Sequence, residues 1–200
     1  SSSPAPQAHA CRSAMRGGTT GVKSDAAMRG LTAHGLVVTS KSEEQTVLLG
    51  RAIGESLRVG DTVLLSGELG AGKTRMAQGI ALGAGAPTHA RSPTFVIVNE
   101  HRGRIRLSHC DLYRVSPGEV DELALDERLA DGALAIEWPE RGGSGLPGDA
   151  LLVQIEVDPA TETRTITLTP LGERAARLLS RASPVFEALS AAAGAGTPAR

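Results

Sequence analysis

The chain of 200 residues is long enough for one domain with flexible ends, and its 40% hydrophobic content supports a single α/β core. Aromatics make up only 2% of it, and 21 Lys+Arg against 22 Asp+Glu leave a net charge of −1, which supplies no global field to hold nucleic acid, so any contact with RNA is expected to run through a partner. No apolar run reaches the roughly 18 residues of a membrane span, the N-terminus lacks the apolar centre of a secretion signal, and Cys11 and Cys110 form neither a metal-ligand spacing nor a disulfide framework, which together point to a cytoplasmic protein.

Residues 1–34 are rich in Ser, Ala, Gly and Pro without a sustained apolar period, and are expected to be a disordered extension in which Met28 offers an alternative start. The folded part, expected over residues 35–182, opens with a strand at Leu36–Thr39 and a helix from Glu43 to Leu57, whose start carries the capping pair Ser42 and Gln45. Thr62–Ser66 is an apolar, partly β-branched run that reads as a buried parallel strand, and Met76, Ile80 and Ala81 recur beyond it at helical spacing. Gly83-Ala84-Gly85-Ala86-Pro87 ends that helix.

Between this strand and helix lies Gly67-Glu68-Leu69-Gly70-Ala71-Gly72-Lys73-Thr74, a full match to the phosphate-binding pattern G-x-x-x-x-G-K-[ST] in its required context. Gly70 and Gly72 permit left-handed backbone, so that the N–H groups around Ala71 turn inward as an anion nest backed by the helix N-terminus. Lys73 is expected to reach the β- and γ-phosphates, and the Thr74 hydroxyl to bind Mg²⁺. The chain is therefore read as a nucleotide-binding protein.

Further along, Phe95–Glu100 and Arg104–Cys110 read as a hairpin about the turn His101-Arg102-Gly103. Ser116-Pro117-Gly118-Glu119 is a second capping signature, predicting a helix through Val120, Leu123 and Leu125. Gly132–Glu137 is an apolar strand ending in a carboxylate. A P-loop enzyme needs such a group on a neighbouring strand to hold Mg²⁺ directly or through water, so Glu137 is the Walker-B candidate. Asp111 ends another strand and either orients the attacking water, supports the metal shell or caps a turn. Thr94, in Ser92-Pro93-Thr94, is either a switch threonine at the γ-phosphate or part of a plain Ser-Pro turn. His101 and His109 share no metal spacing and read as polar strand or turn residues. Leu151–Val157 and Arg164–Thr169 form a last hairpin, and a helix from about Leu171 gives way to a flexible tail expected over residues 183–200.

Taken in order, GELGAGKT, SPTF, HCDLYR and AIEWPER resemble the motifs of the bacterial TsaE (YjeE) family over about residues 36–170. The resemblance implies a P-loop NTPase fold of three layers, with a central, mostly parallel sheet, added antiparallel strands and flanking helices. It implies a weak, Mg-dependent ATPase that works with TsaD and TsaB, the proteins that place threonylcarbamoyl on the adenosine beside the anticodon, with tRNA met only through that complex. By the same resemblance Lys73 and Thr74 hold ATP and Mg²⁺, Glu137 is a Mg²⁺ ligand, and Trp138, Asp111 and Thr94 are functional. The segment around Ser42 and Glu43 lies near the nucleotide. Arg75 stands where many relatives carry a second threonine, which removes a compact hydroxyl near the α-phosphate and keeps the backbone N–H. Cys110 stands where an aromatic is common.

The main rival reading is a small P-loop kinase that transfers the γ-phosphate to a metabolite. That class calls for an arginine-rich lid, and only Arg102, Arg104 and Arg106 of the hairpin supply a cluster. A GTPase calls for an N-K-x-D loop and an ABC-type subunit for LSGGQ, and the sequence contains neither.

Overall fold

The computed structural model describes residues 35–87 and 97–194. Seven strands form one mixed sheet: β1 (Leu36–Ser40), β2 (Thr62–Gly67), β3 (Val98–Arg102), β4 (Arg106–Asp111), β5 (Ala133–Glu137), β6 (Leu151–Val157) and β7 (Arg164–Pro170). Their order is β1-β7-β6-β2-β5-β4-β3. The four central strands β6, β2, β5 and β4 run parallel, and antiparallel pairs close both margins. Parallel strands buried on both faces must be apolar throughout, and β5 (ALAIE) is buried at every position, its terminal carboxylate included.

One face carries three helices, α1 (Glu43–Ser56), α2 (Lys73–Gly83) and α4 (Glu173–Gly194), packed on Val63, Leu65, Ala135, Val153 and Ile166. The other is covered by the short α3 (Leu125–Asp131) and by the segments around Leu112, Val120 and Leu146, over Leu64, Cys110, Leu134 and Ile136. The alternation of β-strand side chains separates the two cores. A three-layer P-loop NTPase architecture results, with the carboxyl ends of β2, β5 and β4 aligned along one edge.

Helices α1 and α2 meet through a glycine seam. A Cβ at Gly50, Gly54, Gly79 or Gly83 would press on backbone of the opposite helix, so the two axes approach closer than any side chain allows. This contact sets the start of α1 beside the start of α2. Ser42 caps α1 as expected, accepting from Gln45 N at 3.2 Å, while the Gln45 side chain reaches back to Lys41 N at 2.7 Å.

Three expectations change. The hairpin turn falls after Arg102, so His101 and Arg102 lie in β3 and Gly103 packs its backbone against Gly85. The helix expected after Ser116 is broken into two 3-10 turns, Pro117–Glu119 and Asp121–Leu123, before α3 begins at Leu125. The capping box forms, with Ser116 Oγ 2.7 Å from Glu119 Oε2, but Ala124 takes a left-handed φ of 50°, which interrupts the helical ladder. Past residue 182, where the domain boundary was expected, α4 continues through Pro184 and buries Phe186 against the core. The expected extension over residues 1–34 lies outside the described residues, and none of the described helices is long and apolar enough to cross a membrane.

Candidate nucleotide-binding site

The P-loop leaves the end of β2 and closes on α2. Gly70 (φ 82°) and Gly72 (φ 110°) occupy the left-handed region, Gly72 as the N-cap of α2, which a residue with a Cβ would resist. Ala71 is buried, and its N–H donates to Glu68 O at 3.1 Å, tightening the turn. An open cleft of about 670 Å³ runs from the loop tip, residues 67–71, to the end of β6 and past Trp138. That size suits a small-molecule ligand.

Lys73 is buried, and its ammonium donates to Gly67 O at 2.6 Å and Glu68 O at 2.8 Å while lying 3.6 Å from the centre of the Trp138 ring. Burial pushes the Lys73 ammonium below its ordinary range, and Glu137, then Glu140 and Asp111, oppose that shift. The indole is aimed at the lysine by an unusual backbone: Trp138 has φ 60°, rare for a large side chain. The Trp138 backbone N–H donates to Leu65 O at 3.1 Å, and Tyr113 packs on the indole ring at 4.9 Å.

Glu137 and Thr74 meet. In the parallel ladder Leu65 of β2 stands opposite Glu137 of β5, and the Thr74 hydroxyl donates to Glu137 Oε2 at 3.0 Å across 63 residues of sequence. The other carboxylate oxygen, Oε1, lies 2.8 Å from His109 Nε2. A hydroxyl that gives its hydrogen away keeps its lone pairs for a cation. One hydroxyl, one carboxylate and ligand phosphates match what Mg²⁺ takes from P-loop proteins, because it holds on to several waters. Among the described residues there is no cluster of three or more His, Cys, Asp or Glu that could hold a metal by itself. The donor set therefore fits Mg²⁺ carried in with a nucleotide.

Asp111 ends β4 directly opposite Glu137 in the ladder. Its Oδ1 accepts from Tyr113 N at 3.0 Å, a turn-capping contact, and the residue is half-buried. Glu43 and Arg75 pair with each other at 2.8 Å, both about half exposed, so the two residues expected beside the nucleotide clasp the starts of α1 and α2. Thr94 lies outside the described residues. His101 and His109, expected to be polar strand or turn residues, are buried and stacked at 6.2 Å, and the second of them holds Glu137. Arg164 is the other group missed in the sequence. From β7 its Nε donates to Ala71 O at 3.1 Å and packs against Gly72. Cys110 faces the opposite core, and burial pushes its thiol up to about 12.

A glycine-rich anion loop at the end of a central parallel strand, with a carboxylate on the adjacent strand touching the loop's threonine, defines a P-loop NTPase-type protein. Comparison with known proteins narrows the class. The family model described as "Threonylcarbamoyl adenosine biosynthesis protein TsaE" matches residues 40–166, and the chain belongs to the TsaE family. The tRNA threonylcarbamoyladenosine biosynthesis protein TsaE of Streptomyces coelicolor is 43% identical over 134 residues, covering 63% of this chain and 90% of its own. Its namesake from Mycobacterium bovis is 38% identical over 152 residues, 70% of this chain and 90% of its own. Among solved structures, "Crystal structure of Bacillus subtilus YdiB" is 29% identical, superposes with a TM-score of 0.64 and covers 76% of this chain and 95% of that one.

Proposed function

We propose that this chain is a Mg-dependent ATP-binding protein and weak ATPase that serves threonylcarbamoyladenosine formation on tRNA in the cytoplasm, together with TsaD and TsaB homologues. The observation that carries the reading is the 3.0 Å contact between Thr74 and Glu137, which joins the P-loop to the EWP strand, within a chain of the TsaE family.

In this reading the N–H groups of Gly70–Arg75 receive the phosphates, and Lys73 exchanges the carbonyls of Gly67 and Glu68 for β- and γ-phosphate oxygens. Thr74 and Glu137 hold Mg²⁺, which supplies charge neutralisation at the phosphates. Asp111, next to Glu137 and accessible to solvent, orients the attacking water, with Thr94 as the switch residue at the γ-phosphate. Glu43, through Arg75, and Trp138 border the nucleotide. The net charge of −1 supplies no global field to hold tRNA, so the RNA is met through the partners. The ATPase domain begins at residue 35 and takes in α4, which buries Phe186 in the same core.

The test is ATP hydrolysis by the purified chain, with and without a TsaD–TsaB complex, combined with a pull-down of those proteins in the presence and absence of ATP. Slow turnover that the complex stimulates is expected. Vigorous transfer of phosphate to a small metabolite, unaffected by the complex, would establish the kinase reading instead.

A further inference from the structure

We propose that His109 is a positioning residue for Glu137, fixing one carboxylate oxygen so that the other stays on the Thr74 hydroxyl where the nucleotide's Mg²⁺ is held. The inference rests on the function proposed above and adds a determinant of its metal requirement.

The side chains of His109 and Glu137 are 5% and 3% exposed, and Nε2 lies 2.8 Å from Oε1. A carboxylate accepts, so the hydrogen between them sits on Nε2. Glutamate has three rotatable side-chain bonds, and a strand end alone does not choose among their settings. Here two elements choose. Thr74 at the start of α2 holds Oε2 at 3.0 Å, and His109 reaches diagonally across the β4–β5 ladder, where its own partner is Ala135 and Asp111 stands opposite Glu137. Removing the imidazole would leave Oε1 buried without a partner, which costs free energy and frees the carboxylate to turn from Thr74.

The imidazole is itself held. His101 of β3 stacks on it at 6.2 Å with rings inclined by 25°. His101 Nε2 is buried and has no hydrogen-bond partner among the described residues, and the ring contributes packing against His109. Partners that orient a metal-holding group typically change metal affinity 10- to 100-fold when removed.

The experiment is calorimetric ADP binding to the full chain as a function of Mg²⁺, for wild type, His109→Leu and His109→Gln, each checked for cooperative thermal unfolding. Glutamine carries an amide nitrogen at about the reach of Nε2, whereas leucine carries no donor. The expected result is a half-saturating Mg²⁺ raised by about tenfold or more in His109→Leu, recovered largely by His109→Gln, with a smaller change in Mg-free ADP affinity. Should His109→Leu fail to fold, His109→Asn, whose amide is too short to reach Oε1, takes its place. A Mg²⁺ requirement within about threefold of wild type, even with a lowered Tm, or a glutamine variant as impaired as leucine, overturns the positioning role alone. A wild type whose nucleotide binding ignores Mg²⁺ overturns this inference and the proposed function together.

Discussion

Gly79→Ala tests whether the approach of α1 to α2 shapes the P-loop. A Cβ at Gly79 would collide with Val47 O and fall 2.9 Å from Arg51 N and 3.0 Å from Gly50 Cα. All three are backbone or Cα atoms, so no rotamer change relieves the contact. The helices must part, and overpacking of this kind costs about 1–3 kcal/mol. Alanine recovers about 1 kcal/mol over glycine in a helix interior. With the steric cost at the upper end, the balance is a loss of about 2 kcal/mol, or roughly 4–8 °C in Tm for a domain of this size. Separation of the helices also pulls Glu43 from Arg75, paired at 2.8 Å, and nucleotide affinity should fall with it. Gly118→Ala is the control, since its Cβ meets nothing within 4 Å. Thermal unfolding followed by circular dichroism, with calorimetric ADP binding on the same samples, provides both readouts. A Tm at or above wild type for Gly79→Ala would refute the seam, because helix propensity would then be the only effect at work.

Glu137→Ala should keep ATP binding within about tenfold and lower single-turnover hydrolysis by about 100-fold or more, since the lost ligand acts on charge in the transition state. Normal hydrolysis would move the metal role to Asp111. Cys110, fully buried and with its thiol pushed up to about 12, should resist iodoacetamide at pH 8, where only ~10⁻⁴ of it is thiolate. Peptide mapping should find it alkylated after unfolding, and rapid labelling of the native protein would show that the β4 face opens.

Contiguous signals were readable in the sequence. The P-loop octapeptide lies within eight residues, and the apolar run before Glu137 declares a buried strand whose end must meet solvent or a ligand. What escaped was non-local. His109 acquires its role from a carboxylate 28 residues away, and Arg164 reaches a loop 93 residues earlier; neither spacing follows a helical or strand period. The glycines at 50, 54, 79 and 83 repeat at four-residue spacing, a pattern visible in the sequence but meaningful only once the two helices are known to cross. At Ser116 the capping chemistry was legible and the helix was not. The box forms, while left-handed Ala124, between buried Val120 and Leu125, breaks the ladder.

A nucleotide in the P-loop beside Glu137 would be reported by the single tryptophan. The Trp138 ring carries the Lys73 ammonium at 3.6 Å, so moving that charge onto phosphate must change the indole's surroundings. Titration with Mg-ATP should shift or quench the intrinsic emission. Lys73→Ala should need about 10- to 100-fold more nucleotide for the same fractional change, the equivalent of a charge-assisted contact worth about 1.5–3 kcal/mol. Unaltered emission at a Mg-ATP concentration shown by calorimetry to saturate the wild type, or equal affinity in Lys73→Ala, would mean that the nucleotide binds away from the P-loop and Glu137.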